Sequence, residues 1–458
     1  MKISTLKPLK QQMPEEQYQS ANKDALEKFA FYKAEKIYGD ILDDRIDNRL
    51  VYEMEELSKC CDLDVIIDAA EAIKNKKKDM GKLYLSRLSQ SNSLLFYLLG
   101  LGSVNPLPRH TYCAKCHAFY WGKRKTDLCE CCGESLIEDG YDLPFEPLLD
   151  EIKRNGLRFG FSSTKSHKHA NLPIRYFEND LIELAKELGF AQEEIEKNDV
   201  SWEDAKMVMK YLTLPCEKSK PSFYTKQYKK RFVCNHHPYI GIPDLGTNLL
   251  EEVFNIYFEC YESFDDFIKV MAMIHGTGVI KANDEYVCDL IITNLIEDAI
   301  ATRDELYNFL IKSQVSKDDA LFICRETRLC GKGHLSKLSE FKLREAGVDE
   351  KYIDFMRNIS YTFHKAHIVA HTRLAIKITK IYIAEPLRYY KAYFTINKEK
   401  LLKMDKKYDF IRGLSESKST DMEEVYLAAI DLIERGYNSE ALIKEVLSKN
   451  NIFTYTST

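Results

Sequence analysis

The chain has 458 residues, of which 45% are hydrophobic and 30% are charged, a composition typical of a globular protein with more than one domain. Its 66 basic and 71 acidic side chains give a formal net charge of −5, which excludes attraction of the whole molecule to nucleic acid, so any DNA binding needs a local basic surface. No apolar run is long enough for a signal peptide or a membrane span, and the 13 cysteines favour a reducing compartment, so we expect a cytoplasmic protein without a membrane partner.

The N-terminal part of the chain predicts a leader followed by two helices. Residues 1–22 are polar with little periodicity, which predicts a loose leader. Apolar residues then recur at helical spacing over residues 22–36 and again over residues 41–60, where acids and arginines occupy the opposite face. We therefore expect two amphipathic helices here.

Residues 63–68 (LDVIID) predict a short strand that leads into a helix. On a strand, Asp62 and Asp64 would place both carboxylates on one face. Such a pair is a candidate Mg²⁺ site, and the alternative is a polar start of a strand at a turn.

Two Cys-x-x-Cys pairs, Cys113/Cys116 and Cys129/Cys132, are separated by twelve residues. This spacing predicts a four-cysteine zinc site, and a closed set of four protein ligands predicts a structural rather than a catalytic metal. The alternative is four unrelated thiols. Cys131 lies inside the second pair and could replace Cys132 as the fourth ligand.

The middle of the chain predicts a strand, two helices and a basic interval. A strand is expected around residues 157–161, and residues 180–212 predict two helices broken at Gly189. Residues 216–241 interleave lysines and an arginine with aromatic residues, a pattern that suits a phosphate backbone with stacked bases. An exposed loop at a domain junction is the alternative.

From residue 248 onwards the pattern is almost entirely helical and includes a long helix from Lys365 to Ala384. The predicted fold class is α+β and predominantly α-helical: a small mixed region with a four-cysteine segment, followed by an all-helical domain. The predicted divisions are 1–22, 23–112, 113–150, 151–247, 248–396 and 397–458.

Ten segments, taken in order, resemble one family. They are IYGDILDDRIDNRLVYEMEEL, SVNPLPRHTYCAKC, CECCG, GYDLPFE, YIGIPDLGTNLLEEV, SFDDFIKVMAMIHGTGV, ATRDELYNFLI, GKGHL, YTFHKAHIVAHTRLAIKI and EPLRYYKAYFTIN. Together they resemble the C-family bacterial replicative DNA polymerases of the PolC type, the alpha subunit of DNA polymerase III. The resemblance implies a reduced form with a palm remnant (23–112), a zinc segment (113–150), a shortened palm and linker (151–247), fingers (248–396) and a C-terminal helical extension. It also implies that the family's exonuclease and clamp-binding regions are missing.

The family's catalytic aspartates have no counterpart in this resemblance. Family members follow GYDLPFE with an Asp-x-Asp strand, a thumb and a third aspartate on a later strand. Here residues 147–156 lead directly to the segment RFGFSS, and Gly160 stands at the place of the third aspartate. Since two-metal phosphoryl transfer needs carboxylates, the resemblance implies no catalytic residue and leaves Mg²⁺ binding open.

The family's phosphate-binding loop is changed as well. The matching stretch is 85–91, in which Ser86 and Arg87 are kept as candidate nucleotide contacts, whereas Leu85 and Leu88 replace glycines. Since their Cβ atoms hinder a close approach of the backbone to phosphate, we expect weak triphosphate binding.

The fingers-like part keeps more of the family pattern. The resemblance implies nucleotide or DNA contacts at five basic residues, with a solvated helix face as the alternative for each: Arg303, Arg328, Lys332, Lys365 and His367. His371 replaces a family tyrosine.

These features predict a catalytically degenerate PolC-type protein. We expect it to bind primer–template DNA or a replication protein, as an accessory factor or as a competitor in DNA replication. One alternative is an active DNA polymerase whose carboxylates are Asp62, Asp64 and Asp150 in another arrangement. Another is a scaffold that binds only protein.

Overall fold

The computed structural model describes residues 15–78, 82–124, 126–213, 245, 263–276, 279, 299–327, 335–359, 361–404, 410 and 420–448. Its helices and strands, numbered along the chain, are α1 (Glu15–Tyr38), α2 (Asp44–Cys60), α3 (Leu63–Lys77), β1 (Leu85–Arg87), α4 (Leu94–Leu98), β2 (His110–Tyr112), β3 (Phe119–Trp121), β4 (Ile137–Asp139), α5 (Glu146–Asn155), β5 (Phe159–Ser163), β6 (His167–Lys168), β7 (Ile174–Glu178), α6 (Asp180–Glu187), α7 (Gln192–Glu196), α8 (Trp202–Thr213), α9 (Phe264–His275), α10 (Arg303–Lys312), α11 (Lys317–Glu326), α12 (Lys337–Glu345), α13 (Glu350–Asn358), α14 (Lys365–Ala384), α15 (Pro386–Ile396), α16 (Lys398–Leu401), α17 (Thr420–Glu434) and α18 (Ser439–Ser448).

The chain divides into two compact units. The first unit comprises Met1–Asn179, Gln192–Asp199 and Asp265–His371, and it contains both sheets. The second comprises Asp180–Ala191, Val200–Phe264 and Thr372–Thr458, and its described elements are helices. The predicted fold class, α+β with a large excess of helix, is confirmed. No helix in the described parts of the chain is long and apolar enough to cross a membrane.

The N-terminal helices form where the sequence predicts them, with one difference at the start. α1 begins at Glu15, inside the segment predicted as a loose leader. α2 begins after Asp43, whose carboxylate accepts a hydrogen bond from the backbone N–H of Arg45 and so caps the helix. The face of α2 that carries Ile46 and Leu50 is fully buried, as its amphipathic pattern predicts.

The predicted strand at residues 63–68 is wrong, because this segment is the first part of helix α3. Asp62 caps the helix by accepting from the N–H of Asp64. The carboxylate of Asp64 instead accepts a hydrogen bond of 2.8 Å from the side-chain amide of Asn22 on α1. The two aspartates therefore stabilise the start of a helix and do not line one face of a strand.

The core of the first unit lies between its N-terminal helices and one face of a four-stranded sheet. The strand order is β1-β5-β7-β6, in which β5 and β7 run parallel and the other neighbours run antiparallel. Phe159 and Phe161 on β5, and Tyr176 on β7, are buried against this core. The strand predicted around residues 157–161 is thus found at β5, shifted by two residues.

A second sheet of three short strands carries the cysteine segment. Its order is β3-β2-β4, and both neighbours of the central strand are antiparallel. The His110 ring is buried in it, 5.6 Å from the Tyr38 ring and 5.1 Å from the Phe119 ring. These aromatic contacts attach the small sheet to the end of helix α1.

Residues 180–213 form three helices and not the predicted two. Gly189, with φ of +82°, ends α6 in the left-handed region that favours glycine, which is the predicted break. A second break between α7 and α8 was not predicted. The long helix α14 is found over the predicted residues.

The second unit has a buried polar centre around Asp431 on α17. This carboxylate accepts hydrogen bonds from the hydroxyls of Tyr382 and Tyr390 and from the guanidinium of Arg435. A buried carboxylate needs such donors, because burial without them is costly. The three partners join α14, α15 and α17.

Candidate functional site

The structure brings four cysteines together at the edge of the three-stranded sheet. The sulfur atoms of Cys113, Cys116, Cys129 and Cys132 all lie within 4.8 Å of one another. The Cys113–Cys132 and Cys116–Cys129 Sγ distances are each 3.4 Å. A tetrahedral ion with metal–sulfur bonds of about 2.3 Å needs sulfur separations of roughly 3.8 Å. The four thiols therefore fit one metal ion.

Two backbone turns of the same type aim these thiols inward. The N–H of His117 donates to the carbonyl of Cys113 (2.9 Å), and the N–H of Gly133 donates to that of Cys129 (2.8 Å). His117 and Gly133 occupy equivalent places and both have positive φ, 58° and 74°. Each turn thus presents its first and fourth residues to a common centre.

The fourth sulfur belongs to Cys132 in this arrangement. Cys131 is exposed and lies outside the group of four. Hydrogen bonding to the backbone N–H of Cys116 lowers the pKa of the Cys113 thiol to about 6, whereas the neighbouring thiols raise the pKa of Cys116 to about 12.

Gly160 lies in the middle of the four-stranded sheet, paired with Arg87 on β1 and Arg175 on β7. Its N–H donates a 2.7 Å hydrogen bond to the side-chain oxygen of Gln90. The helix α5 leads into β5 through only residues 156–158, and these contain no carboxylate. Gly160, predicted to stand at the place of a family aspartate, therefore lies between two arginines in the sheet, and that correspondence stays a prediction.

The polar side chains of β1 and of the loop that follows it form hydrogen bonds within the protein. The Ser86 hydroxyl accepts from the N–H of Ser103 (2.8 Å) and lies 3.1 Å from the Ser91 hydroxyl. Gln90, besides its bond to Gly160, donates to the carbonyl of Leu101 (2.6 Å). The Ser86 and Gln90 side chains thus form hydrogen bonds with the protein's own backbone.

The remaining loop residues follow the same pattern, except for Arg87. Ser89 donates to Glu151 (3.0 Å), and Asn92 donates to the carbonyl of Pro144 (2.8 Å). Arg87 is half-buried, with its guanidinium 5.0 Å from the centre of the Phe177 ring. Of the two predicted contacts, which both lie on β1, Ser86 is buried and Arg87 is half-buried.

The start of helix α14 is held by a buried aspartate. Asp304 accepts a 2.6 Å hydrogen bond from the backbone N–H of Lys365 and another from the side-chain amide of Asn92. Burial raises the pKa of Asp304. One carboxylate thereby joins the loop after β1 to the first residue of α14, a link that sequence reasoning missed.

Arg303, the neighbouring residue, points into the protein. It is 5% exposed, and its guanidinium bonds to the His364 ring (2.9 Å) and to the carbonyl of Thr362 (3.2 Å). Its role as a phosphate contact stays a prediction, and that role would require the guanidinium to leave these partners.

Helix α14 presents a row of rings next to the sheet. The His367 ring stacks on Phe363 with centroids 5.4 Å apart and lies 4.1 Å from the His371 ring. His371 Nε2 is 3.1 Å from the buried hydroxyl of Ser162 on β5. The four-residue spacing of the two histidines is the one sequence signal that could have indicated this contact.

The other predicted contacts lie outside the described residues. These are Arg328, Lys332 and the whole of the basic and aromatic interval at residues 216–241. Lys365 is described, half-buried at the first position of α14.

The three aspartates of the alternative active site make separate contacts and do not form one group. Asp62 and Asp64 stabilise the start of α3, whereas Asp150 pairs with Arg325 (2.8 Å) and Arg154 (3.2 Å). Within the described ranges, the four cysteines form the only group of three or more His, Cys, Asp or Glu that could hold a metal ion.

Comparison with known proteins shows similarity to one kind of polymerase. The chain is 25% identical to the DNA polymerase III PolC-type of Mycoplasmopsis pulmonis over 482 residues, which covers 82% of this chain and 33% of that protein. It is 23% identical to the Bacillus subtilis protein of the same name over 557 residues, covering 95% of this chain and 38% of that one. A stretch of 156 residues is 33% identical to the Clostridium perfringens protein of that name, covering 34% of this chain and 10% of that one. No family model matches the chain.

The similarity extends over most of this chain, whereas the chain spans only about a third of the length of these curated relatives.

Proposed function

Starting from this similarity to the PolC type of DNA polymerase III, we propose that the protein is a catalytically inactive PolC-like protein that binds DNA. The observation that supports the proposal is that Gly160, which has no side chain, lies at the place where the resemblance implies a metal-binding aspartate. Transfer of a nucleotidyl group by two metal ions requires carboxylates that hold both ions between the attacking and the leaving oxygens.

The loop after β1 supports the same conclusion about nucleotide binding. Since the side chains of Ser86 and Gln90 are buried and bonded within the protein, a triphosphate would have to replace these bonds. Leaving a buried donor or acceptor without its partner costs about 1–3 kcal/mol. We therefore expect weak binding of deoxynucleoside triphosphates and no Mg²⁺-dependent synthesis.

The metal held by the four cysteines is proposed to be zinc in a structural role. Four sulfur ligands in a tetrahedral set are typical of structural zinc and leave no open position for water. Here Cys113, Cys116, Cys129 and Cys132 would join the two turns at the edge of the three-stranded sheet. When bound, the ion supplies folding energy to this segment and takes no part in a reaction.

DNA binding without synthesis favours a role in replication. A protein that occupies a primer–template junction without extending it would act as an accessory factor at that junction or as a competitor of a polymerase. Retained positions on α14, Lys365 and His367, support a contact with the nucleic acid at the start of that helix.

Primer extension and DNA binding, measured on one purified sample, test the proposal. We expect a labelled primer–template to bind in a salt-dependent way and to remain unextended with deoxynucleoside triphosphates and either Mg²⁺ or Mn²⁺. Preparations from cells that lack the protein control for contaminating polymerases. Template-directed extension seen only with the purified protein would overturn the inactivity, and failure to bind DNA at low salt would favour a protein-only scaffold.

A further inference from the structure

The face of the four-stranded sheet that carries Gly160 has a row of cations. In the row that crosses all four strands, Arg87 pairs with Gly160, Gly160 with Arg175, and Arg175 with Lys168. Residues that pair across neighbouring strands project from the same face of a sheet. The row therefore holds three basic side chains and one glycine.

The opposite face of the same strands is apolar. Phe159, Phe161, Ile174 and Tyr176 alternate with the residues of the row and are buried in the core of the first unit. Because the core covers that face, the cationic row lies on the side of the sheet that points away from it. We call this row, Arg87, Gly160, Arg175 and Lys168, the cationic row.

The charges of the cationic row are available to a ligand. Arg175 and Lys168 are exposed, and Arg87 is half-buried. Among the residues that the structure describes, no carboxylate forms an ion pair with any of the three. Arg175 and Lys168 lie on neighbouring strands, about 5 Å apart, and Arg87 lies two strands, about 10 Å, from Arg175.

The sequence around the cationic row contains no acidic residue over a long interval. Residues 157–177 contain four lysines and arginines, two histidines and no aspartate or glutamate, although the whole chain carries a net charge of −5. Such a local excess of positive charge marks an anion-binding surface in an otherwise acidic protein.

We propose that the cationic row is a phosphate-binding site that works without a divalent metal ion. A metal centre binds phosphate indirectly: its carboxylates hold divalent cations, and those cations contact the phosphate oxygens. Here guanidinium and ammonium groups meet the phosphate oxygens directly, with charge-assisted hydrogen bonds. The ligand is a phosphate chain, from the backbone of a nucleic acid strand or from a nucleoside triphosphate.

The inference deepens the proposed function, because it names the surface that would contact DNA. It also predicts that divalent cations are unnecessary for binding, since no carboxylate in the row needs to be neutralised.

A charge-reversal pair tests the site. The double variant Arg175→Glu/Lys168→Glu removes two cations of the row, and the control Lys186→Glu/Lys312→Glu makes the same charge change at exposed lysines on α6 and α10. Fluorescence anisotropy with a labelled single-stranded oligonucleotide is measured over a series of salt concentrations, without added divalent cations and again with Mg²⁺. Calorimetry with inorganic tripolyphosphate forms the second arm, and metal content and thermal melting verify that each variant is folded.

Two results would support the site. The row variant should lose roughly tenfold or more in DNA affinity near 0.1 M salt, and its salt slope should fall by about 1.4, whereas the control changes by less than about twofold. A loss confined to the tripolyphosphate arm would assign the site to a nucleotide and not to a nucleic acid backbone.

Three results would overturn it: equal losses in the two variants, binding by the wild type that appears only when Mg²⁺ is added, or unchanged affinity of the row variant in both arms. The last result, with DNA still bound, would remove the site but leave the proposed function. Conversely, a wild type that binds tripolyphosphate through the row but fails to bind DNA would remove the proposed function and leave the site.

Discussion

Two regions of the first unit match the same kind of polymerase and have different chemistry. The cysteine segment, residues 109–139, places four thiols around one centre. The Gly160 sheet, made of β1, β5, β6 and β7, has a glycine and basic residues in the row that the sequence predicts to correspond to a metal-binding position. Among the described residues, the first region thus has a group of four side chains that could hold a metal ion, and the second has no group of three or more such side chains.

The difference concerns how much each kind of site contributes to the stability of the fold. The short strands of the cysteine segment have little core of their own, so a metal ion held by the four thiols would supply much of its folding energy. Side chains that bind only a substrate add no folding energy, so a sheet can keep its packing without them. In the Gly160 sheet, Gln90 now bonds to Gly160 and supports the sheet itself.

The largest expected effect is in the cysteine segment. Cys113→Ser should remove about one equivalent of bound zinc and unfold the three-stranded sheet, since metal binding in zinc-finger peptides supplies roughly 10 kcal/mol. Elemental analysis and thermal melting measure the loss. Cys131→Ser is the matched control, because Cys131 is exposed and outside the group of four. Loss of zinc in the control would assign Cys131 as the ligand.

The next effect tests whether the stability of the Gly160 sheet depends on the loop after β1. Gln90→Ala should lower the free energy of unfolding by about 2–5 kcal/mol, because the Gly160 N–H and the Leu101 carbonyl would each lose a buried partner. Urea unfolding measures it. Gln314→Ala, at an exposed glutamine of the same unit, should change stability by less than about 0.5 kcal/mol. Equal effects of the two substitutions would show that the loop is not a structural support.

A smaller effect concerns the link between this loop and α14. Burial raises the pKa of Asp304, so the stability contributed by its protonated form is present below the ordinary value of 3.8 and is lost as pH rises through the raised pKa. Asp304→Asn cannot ionise, so its stability relative to wild type should improve as pH rises, by at most about 1.4 kcal/mol per pH unit. Urea titrations between acid and neutral pH test this trend. Asp318→Asn, at an exposed aspartate of α11, is the control, and the same trend in both would contradict the assignment.

The smallest effect lies on the surface between α2 and α5. Hydrogen bonds from Lys59 and Lys153 lower the pKa of Glu56 to about 2, so its stabilising contribution is present above the ordinary value of 4.5 and is lost as pH falls towards 2. Glu56→Gln should therefore cost at most about 1 kcal/mol at neutral pH, since the pair is exposed and screened, and nothing near pH 2. A difference that persists at acid pH would mean that packing, and not charge, is responsible.

Local patterns predicted the elements whose causes are local. The Cys-x-x-Cys spacing, the apolar stripe of α2 and the bounds of α14 all follow from residues within a few turns of one another. The strand predicted at 63–68 failed because a short apolar run fits a strand and a buried helix equally well, and the cap at Asp62 decides for the helix.

The tertiary structure alone decided what the candidate site contains. The bond between Gln90 and Gly160 joins residues 70 apart in the chain, and that between Ser162 and His371 joins residues 209 apart. The cationic row likewise needs the pairing of four strands before Arg87 and Lys168 share a face. Sequence determined that a carboxylate was absent at Gly160, because side-chain chemistry is local. Which groups surround that position depends on strand pairing and long-range packing, and these have no local signal.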